Sequence, residues 1–489
     1  MRIQLQECVG WPNLSWVARA SHRQEVVEIL HGSMVEHEQD WLVEGVWDGE
    51  FESGDFDRTD TIFGTGIRSR GDTLTFVSSS TGIDRLWYCH IDQDYYIANT
   101  LPGLLSVTGL SLRHDYIFYT SDIESVQKRG IFSCKKNIPS SGPDIQLLYY
   151  NNLVLSRNGL YESKKPDRTP DFDTFRTYDN YLKRMAEKLG ENAMARGRRF
   201  RIDMLVGLSA GYDSIATAVI ARHAGCTKAA SIRQSSSLWR GSDSGARFAD
   251  LLGMQCKSYN HDKSAYRNEV AIWAAAGREG GRNFSIFDYP KPLCLFFSGG
   301  YGDIVWDRNA PKIDEPRGGL NELLCEFRLI EGVFVCVVPW WGIRKARQIQ
   351  DINHLEEMRP WTLGTDYDRP IARRIIETAG IRRGEFAVRK MNTASNSPLR
   401  WPSSAEAVRS LRSFLAVKGY RVPTHVEIKT MQFFAKIMQM IYQNTVKRLG
   451  AKKWWRPWMQ YRSRKYLFEW ANHELRESRY TGCCSDRWR

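Results

Sequence analysis

No stretch of this chain approaches the roughly 18 to 20 consecutive apolar residues that a membrane-crossing helix requires, and the opening residues MRIQLQECVGWPNLSW lack the h-region of a signal peptide. A cytoplasmic protein is therefore expected. The ten cysteines include no CxxC pair and no Cys/His cluster at zinc spacing. Reduced, mostly buried thiols follow, with the vicinal Cys483 and Cys484 as the one candidate redox or metal pair. There is no GxxxxGK[ST] phosphate loop and no internal repeat. Disorder as the main state is excluded too, because 42% of the 489 residues are hydrophobic, 12% aromatic and 26% charged.

Positive charge is abundant, and it is concentrated. The formal net charge is +13, and residues 401–489 hold 18 Lys/Arg against 6 Asp/Glu, so residues 1–400 are almost neutral. Such a basic end suits an anionic membrane surface, an acidic glycan or another polyanion, while the neutral remainder has the balance of an ordinary enzyme body.

The pattern divides the chain into a β-rich part, 1–165, an alternating α/β part, 170–400, and a basic, aromatic, helical extension, 401–489. In the first part, short β-branched and aromatic segments such as Leu74–Val77, Arg85–His90 and Tyr95–Ala98 are separated by turn signals. Hairpins stacked in sheets are predicted. Thr174–Ala195 then reads as a long helix, followed by apolar strands at Ile202–Leu208, Ala229–Ile232 and Leu293–Phe297 with helices at Ser214–His223 and Asp243–Leu252 between them. Strand, loop and helix in alternation predict an open, mostly parallel α/β sheet.

Two loops could carry chemistry. The first strand runs through Ser209-Ala210-Gly211-Tyr212-Asp213-Ser214 straight into a helix, which places small residues, two hydroxyls and a carboxylate at a helix N-terminus suited to a phosphate. The same residues spell GxSxG, the nucleophile elbow of α/β-hydrolases, so a hydrolase with Ser209 as nucleophile is an alternative. That reading needs a histidine, and His261, His354, His425 and His473 have no motif around them. The strand at 293–297 ends in Ser298-Gly299-Gly300-Tyr301-Gly302-Asp303, so Asp213 and Asp303 together could flank a magnesium ion, as triphosphate chemistry requires.

Ser209–Ser214 resembles the SGGxDS pyrophosphatase (PP) loop of the asparagine synthetase family, with Ala210 in place of a glycine. Gly241–Gly253 resembles the helix after that family's second strand, Ser298–Asp303 its SGEGxDE loop, and Gly384–Lys390 the segment with its catalytic lysine. More weakly, Ser78–Tyr88 and Tyr96–Leu105 are similar to the family's glutaminase-type (Ntn) domain. Two departures stand out. Arg2, not cysteine, follows Met1, with the first cysteine at Cys8, and Gly300 and Ile304 replace glutamates of the second loop.

The resemblance implies a degenerate glutamine-amidotransferase-like β sandwich followed by an ATP-binding synthetase domain. It implies that Leu208, Ile232, Ser298 and Gly299 surround the adenosine, that Ser209, Ala210, Gly211 and Ser214 hold phosphates, that Asp213 and Asp303 hold Mg2+, and that Lys390 is catalytic. The implied reaction is ATP-dependent amide formation from a carboxylate substrate and an amine donor, without intrinsic glutaminase activity. Surface polysaccharide or natural-product biosynthesis is its expected setting, on segments such as Asp366–Glu377. Two further readings remain open: a catalytically impaired scaffold, and an RNA- or nucleotide-modifying protein that uses the basic end. A homodimer is compatible with either. Within the extension, Phe433, Phe434, Ile437, Met438 and Ile441 form an apolar helical stripe read first as core packing. Lys452–Tyr466 interleaves cations with Trp and Tyr, which suits peripheral attachment to an anionic membrane or acidic glycan better than nucleic acid.

Overall fold

The computed structural model describes residues 1–21, 25–233, 243–260, 266–277, 279–317, 324–386, 401–441 and 466–482. It is a mixed α/β structure with three sheets. A seven-stranded sheet runs in the spatial order Arg2–Glu7, Val26–His31, Trp16–Ala20, Asp94–Ala98, Leu86–Ile91, Ile145–Leu148, Asn137–Ile138. A six-stranded one runs Gly159–Ser163, Asn152–Ser156, Thr73–Val77, Ile62–Arg70, Trp41–Trp47, Glu36–His37. Neighbours are antiparallel throughout, except that Arg2–Glu7 lies parallel to Val26–His31.

Alternation along these strands produces a shared core. Trp16, Ala18, Val27, Ile29, Leu86 and Ile97 of the larger sheet meet Leu42, Ile67, Leu74, Phe76 and Leu153 of the smaller one, as side chains of period 2 do when two sheets stack. The Trp16 and Phe76 rings stack across it at 6.4 Å.

The third sheet is all parallel, in the order Gln255–Tyr259, Lys228–Ile232, Ile202–Gly207, Leu293–Ser298, Val333–Val337. Its three adjacent strands Ile202–Gly207, Leu293–Ser298 and Val333–Val337 are near-continuous apolar runs, as strands covered on both faces are; Leu293 to Phe297 are wholly buried. In chain order the sheet reads 3-2-1-4-5, so the connection reverses direction between Ile202–Gly207 and Leu293–Ser298, which pair from Ile202↔Leu293 to Val206↔Phe297. The crevice beyond the carboxyl ends of those two strands is where open α/β sheets bind ligands. Helix Phe175–Ala193, closed at its start by a Thr174/Thr177 capping box, packs Tyr178, Leu182, Met185 and Leu189 into the body.

Buried ionic and polar contacts join the sandwich to this body. Arg328, on helix Cys325–Glu331, donates two hydrogen bonds to Glu44 (2.6 and 2.8 Å) and one to Asp84, all three residues being almost fully buried. Beyond 400, helices Ala405–Val417, His425–Ile441 and Leu467–Arg479 follow. The last is seated in the body, with Trp470 fully buried and the Tyr480 hydroxyl 2.8 Å from Thr100 Oγ1. None of the eight cysteines among the described residues is in a disulfide, and all but Cys256 are buried. Cys483 and Cys484 lie outside the described residues, as do Lys390 and most of Lys452–Tyr466.

Candidate functional site

The two small-residue loops meet at the switch point. Strand Ile202–Gly207 passes through Leu208–Gly211 into helix Tyr212–Ala221, and strand Leu293–Ser298 passes through Gly299–Tyr301 into the short helix Gly302–Val305. Their approach explains the glycines. A Cβ on Gly299 would lie 2.7 Å from the Asp213 carbonyl and 2.9 Å from the Ser214 nitrogen, and a Cβ on Gly302 would overlap the Asp213 carboxylate. Tyr301 takes the left-handed φ of 74° that few non-glycine residues adopt. It is pinned by an edge-on contact with Trp340 at 4.6 Å and by the 2.8 Å hydrogen bond its hydroxyl accepts from the Arg317 N–H.

The first loop is held by its own hydroxyls. Ser209 Oγ lies 2.8 Å from Ser214 Oγ and accepts the Gly211 N–H at 3.3 Å, while Ser214 Oγ accepts the Ser209 N–H at 3.1 Å. Ala210 has no left-handed φ, so its backbone carries no strain that glycine would relieve. The first-turn N–H groups of Tyr212, Asp213 and Ser214 have no acceptor within the helix, and no side chain caps it. Among the described residues Ser209 has no left-handed φ and no histidine hydrogen-bonds to its hydroxyl, while His261 lies outside them.

A third wall comes from residues that sequence reading left without a role. Arg369 donates to Asp213 Oδ2 and lies 3.7 Å from Asp307, with 3% of its side chain exposed against 19% for Asp213. The Tyr367 ring faces the Arg369 guanidinium at 5.0 Å and the Tyr212 ring at 5.0 Å. Arg373 donates to the Tyr212 hydroxyl and pairs with Asp368 at 3.2 Å. Asp368 in turn accepts the Leu363 and Gly364 N–H groups, both at 2.9 Å. The signal for this wall is the Asp-Tyr-Asp-Arg run directly before the helix-starting Pro370.

Asp243 is a second addition. Sequence periodicity starts a helix at this residue, but the helix spans Ala246–Leu251. Asp243–Gly245 instead lies flat on the first loop: Asp243 O accepts the Ala210 N–H at 3.2 Å, and Ser209 and Ser244 form a β-bridge. A Cβ on Gly245 would sit 2.7 Å from the Leu208 backbone. Burial pushes the Asp243 carboxyl up to about 6, since the charged form loses hydration that nothing restores in full.

The remaining candidates also collect here. Leu208, Ile232 and Ser298 are buried at the carboxyl ends of three adjacent strands, and Ser298 Oγ accepts the Gly300 N–H at 3.2 Å. Lys390 lies outside the described residues, but the segment leading to it reaches the site at Phe386, which packs edge-on against Tyr212 at 5.6 Å. Asp213 Oδ1 is buried without a hydrogen-bond partner, and Asp303 is exposed. An orphaned carboxylate oxygen fits Mg2+ arriving with a nucleotide, because that ion usually takes one or two protein carboxylates and completes its shell with phosphates and water. Among the described residues no cluster of three or more His, Cys, Asp or Glu forms a dedicated metal cage.

At the sandwich, Cys8 is buried, and its N–H donates to His31 O at 2.8 Å. The residues before it form a paired strand whose Ile3 and Leu5 pack on the sandwich core.

No family model matches the chain, and no curated protein matches it. Among solved structures, one described as the allosteric regulatory enzyme of purine biosynthesis aligns over 73% of this chain and 92% of its own at 7% identity. Its TM-score of 0.17 carries no inference about fold or activity.

Proposed function

We propose that the chain is an ATP-dependent amide-forming ligase, similar to asparagine synthetase, which activates a substrate carboxylate as its adenylate with release of pyrophosphate and passes the acyl group to an amine. The observation that carries the reading is the convergence of two small-residue loops at the switch point of a parallel sheet. Uncapped N–H groups and the orphaned Asp213 oxygen meet there.

Tyr212, Asp213 and Ser214 would offer backbone N–H groups to phosphate oxygens at the positive end of their helix. Leu208 and Ile232 would give the base an apolar seat, with Ser298 and Gly299 beside it. Asp213 and Asp303 would hold Mg2+, which supplies charge neutralisation on the phosphates. Arg369, released from Asp213, would keep a guanidinium in reach of the same phosphates. Lys390 would place an ammonium against the charge that grows in the transition state.

Two observations favour a second reading, a catalytically impaired scaffold: Arg369 occupies one oxygen of Asp213, and Gly300 and Ile304 stand where the family pattern has glutamates. A single assay separates the two. Incubation with Mg-ATP and candidate carboxylates should release pyrophosphate and form AMP, and Asp213→Ala or Asp303→Ala should abolish both while leaving the circular dichroism spectrum intact. Nucleotide binding without turnover on any carboxylate supports the scaffold; unchanged turnover in both variants rejects the ligase. Lys390→Ala should lower the chemical rate far more than nucleotide affinity.

A further inference from the structure

Phe433 and Phe434, read from the sequence as part of a core-packing stripe, are exposed, whereas Ile437 is half-buried and the side chains of Met438 and Ile441 lie outside the described residues. Val426, Phe433 and Phe434 are 73%, 62% and 59% exposed, and Met431 is 42% exposed. At 3.6 residues per turn, Val426, Phe433, Phe434 and Ile437 fall within an arc of about 100°. Ile428, the residue of this helix that is buried at 6% exposure, points to the opposite side. The helix thus buries Ile428 on one side and presents Phe433 and Phe434, their rings 6.1 Å apart, on the other. An apolar ridge of this kind on a protein surface marks an interaction site.

We propose that this ridge docks on an anionic lipid bilayer, with helix His425–Ile441 lying in the interface and Phe433 and Phe434 inserted among the acyl chains. Charge selects this occupant. Residues 401–489 carry +12, and the sequence following the helix supplies Lys447, Arg448, Lys452, Lys453 and Arg456 interleaved with Trp454 and Trp455. A second copy would bring the same +12 against it, and like charge opposes that pairing. A polyanion without an apolar phase would leave the phenylalanines in water. No helix among the described residues is long and apolar enough to cross a membrane, so the attachment is of the kind that combines a buried apolar face with attraction to acidic headgroups.

The test uses the full chain and sedimentation with vesicles of phosphatidylcholine alone or mixed with phosphatidylserine. The expected result is salt-reversible binding to the mixed vesicles only. Phe433→Ser/Phe434→Ser, both at exposed positions, should weaken partitioning about tenfold or more. Lys452→Glu/Lys453→Glu/Arg456→Glu should weaken it roughly a hundredfold, at about fivefold per cation. Equal binding of the phenylalanine variant and the wild type would overturn the proposal. So would tRNA binding without vesicle binding, or a dimer in sedimentation equilibrium that the phenylalanine variant dissociates.

Discussion

The Asp213–Arg369 pair is the most informative place to perturb the site, because charge and packing can be separated there. Asp213→Asn keeps the shape of the side chain and removes its charge, which leaves the Arg369 guanidinium, 3% exposed, without its principal counter-ion. Breaking a buried pair from one side costs about 3–5 kcal/mol. Asp213 keeps 19% of its side-chain surface, which argues for the lower end, about 3 kcal/mol. At about 2.1 cal/mol/K of unfolding entropy per residue, a chain of 489 residues loses about 1 °C per kcal/mol, so the unfolding transition should fall by roughly 3 °C. Arg369→Met should cost less, since the partly exposed carboxylate it leaves can draw on water. The double variant should cost less than the sum of the two, with a coupling of about 1–3 kcal/mol. Differential scanning calorimetry of the four proteins completes the cycle. Strictly additive costs would refute the claim that these two side chains neutralise one another.

Gly299→Ala should disturb the site more than its size suggests, because the new methyl meets Asp213 and Ser214 backbone atoms rather than a side chain that can turn away; nucleotide affinity measured by calorimetry should drop at least tenfold. The buried Lys165 ammonium donates to Asn152 Oδ1, and burial lowers it from 10.5 to about 7. The unfolded chain therefore holds a proton between about pH 7 and 10.5 that the native state lacks, and stability rises with pH across that window. Lys165→Met should accordingly stabilise the protein at pH 7, with an advantage that shrinks by about 1.4 kcal/mol per pH unit above that and vanishes near 10.5 in pH-dependent denaturation. Arg328→Met should lower stability by about 3–5 kcal/mol in urea unfolding, since it strands Glu44 and Asp84 together in the interior.

What could be read from the sequence follows from how local the cause is. Strands Ile202–Gly207 and Leu293–Ser298 announce themselves as apolar runs ending in small residues, so both loops and their order were legible. Segments 74–77, 85–90 and 95–98 were equally plain as strands, but nothing local tells that the first belongs to one sheet and the other two to its partner. Arg369 was invisible as a site residue because its partner is 156 positions away. Asp243 was read as helical because its tertiary contacts with the first loop override its place in a periodic run. The exposure of Phe433 and Phe434 was missed for a related reason: a 3.6-residue period identifies an apolar stripe without saying what covers it.

The seat of Tyr480 has a consequence for the order in which the chain is made. Its hydroxyl meets Thr100 Oγ1, which donates to Glu326 Oε2 at 2.8 Å, and its carbonyl accepts from Ser106 Oγ. Three regions far apart in sequence close on one another, and the last of them leaves the ribosome only after the other two have been synthesised. Until then Glu326 and Thr100 lack their third member, and the groove that receives the Leu467–Arg479 helix is open to water. A nascent chain of this protein thus carries an unfilled apolar groove until residues 467–480 emerge, an interval in which chaperone occupancy should be highest.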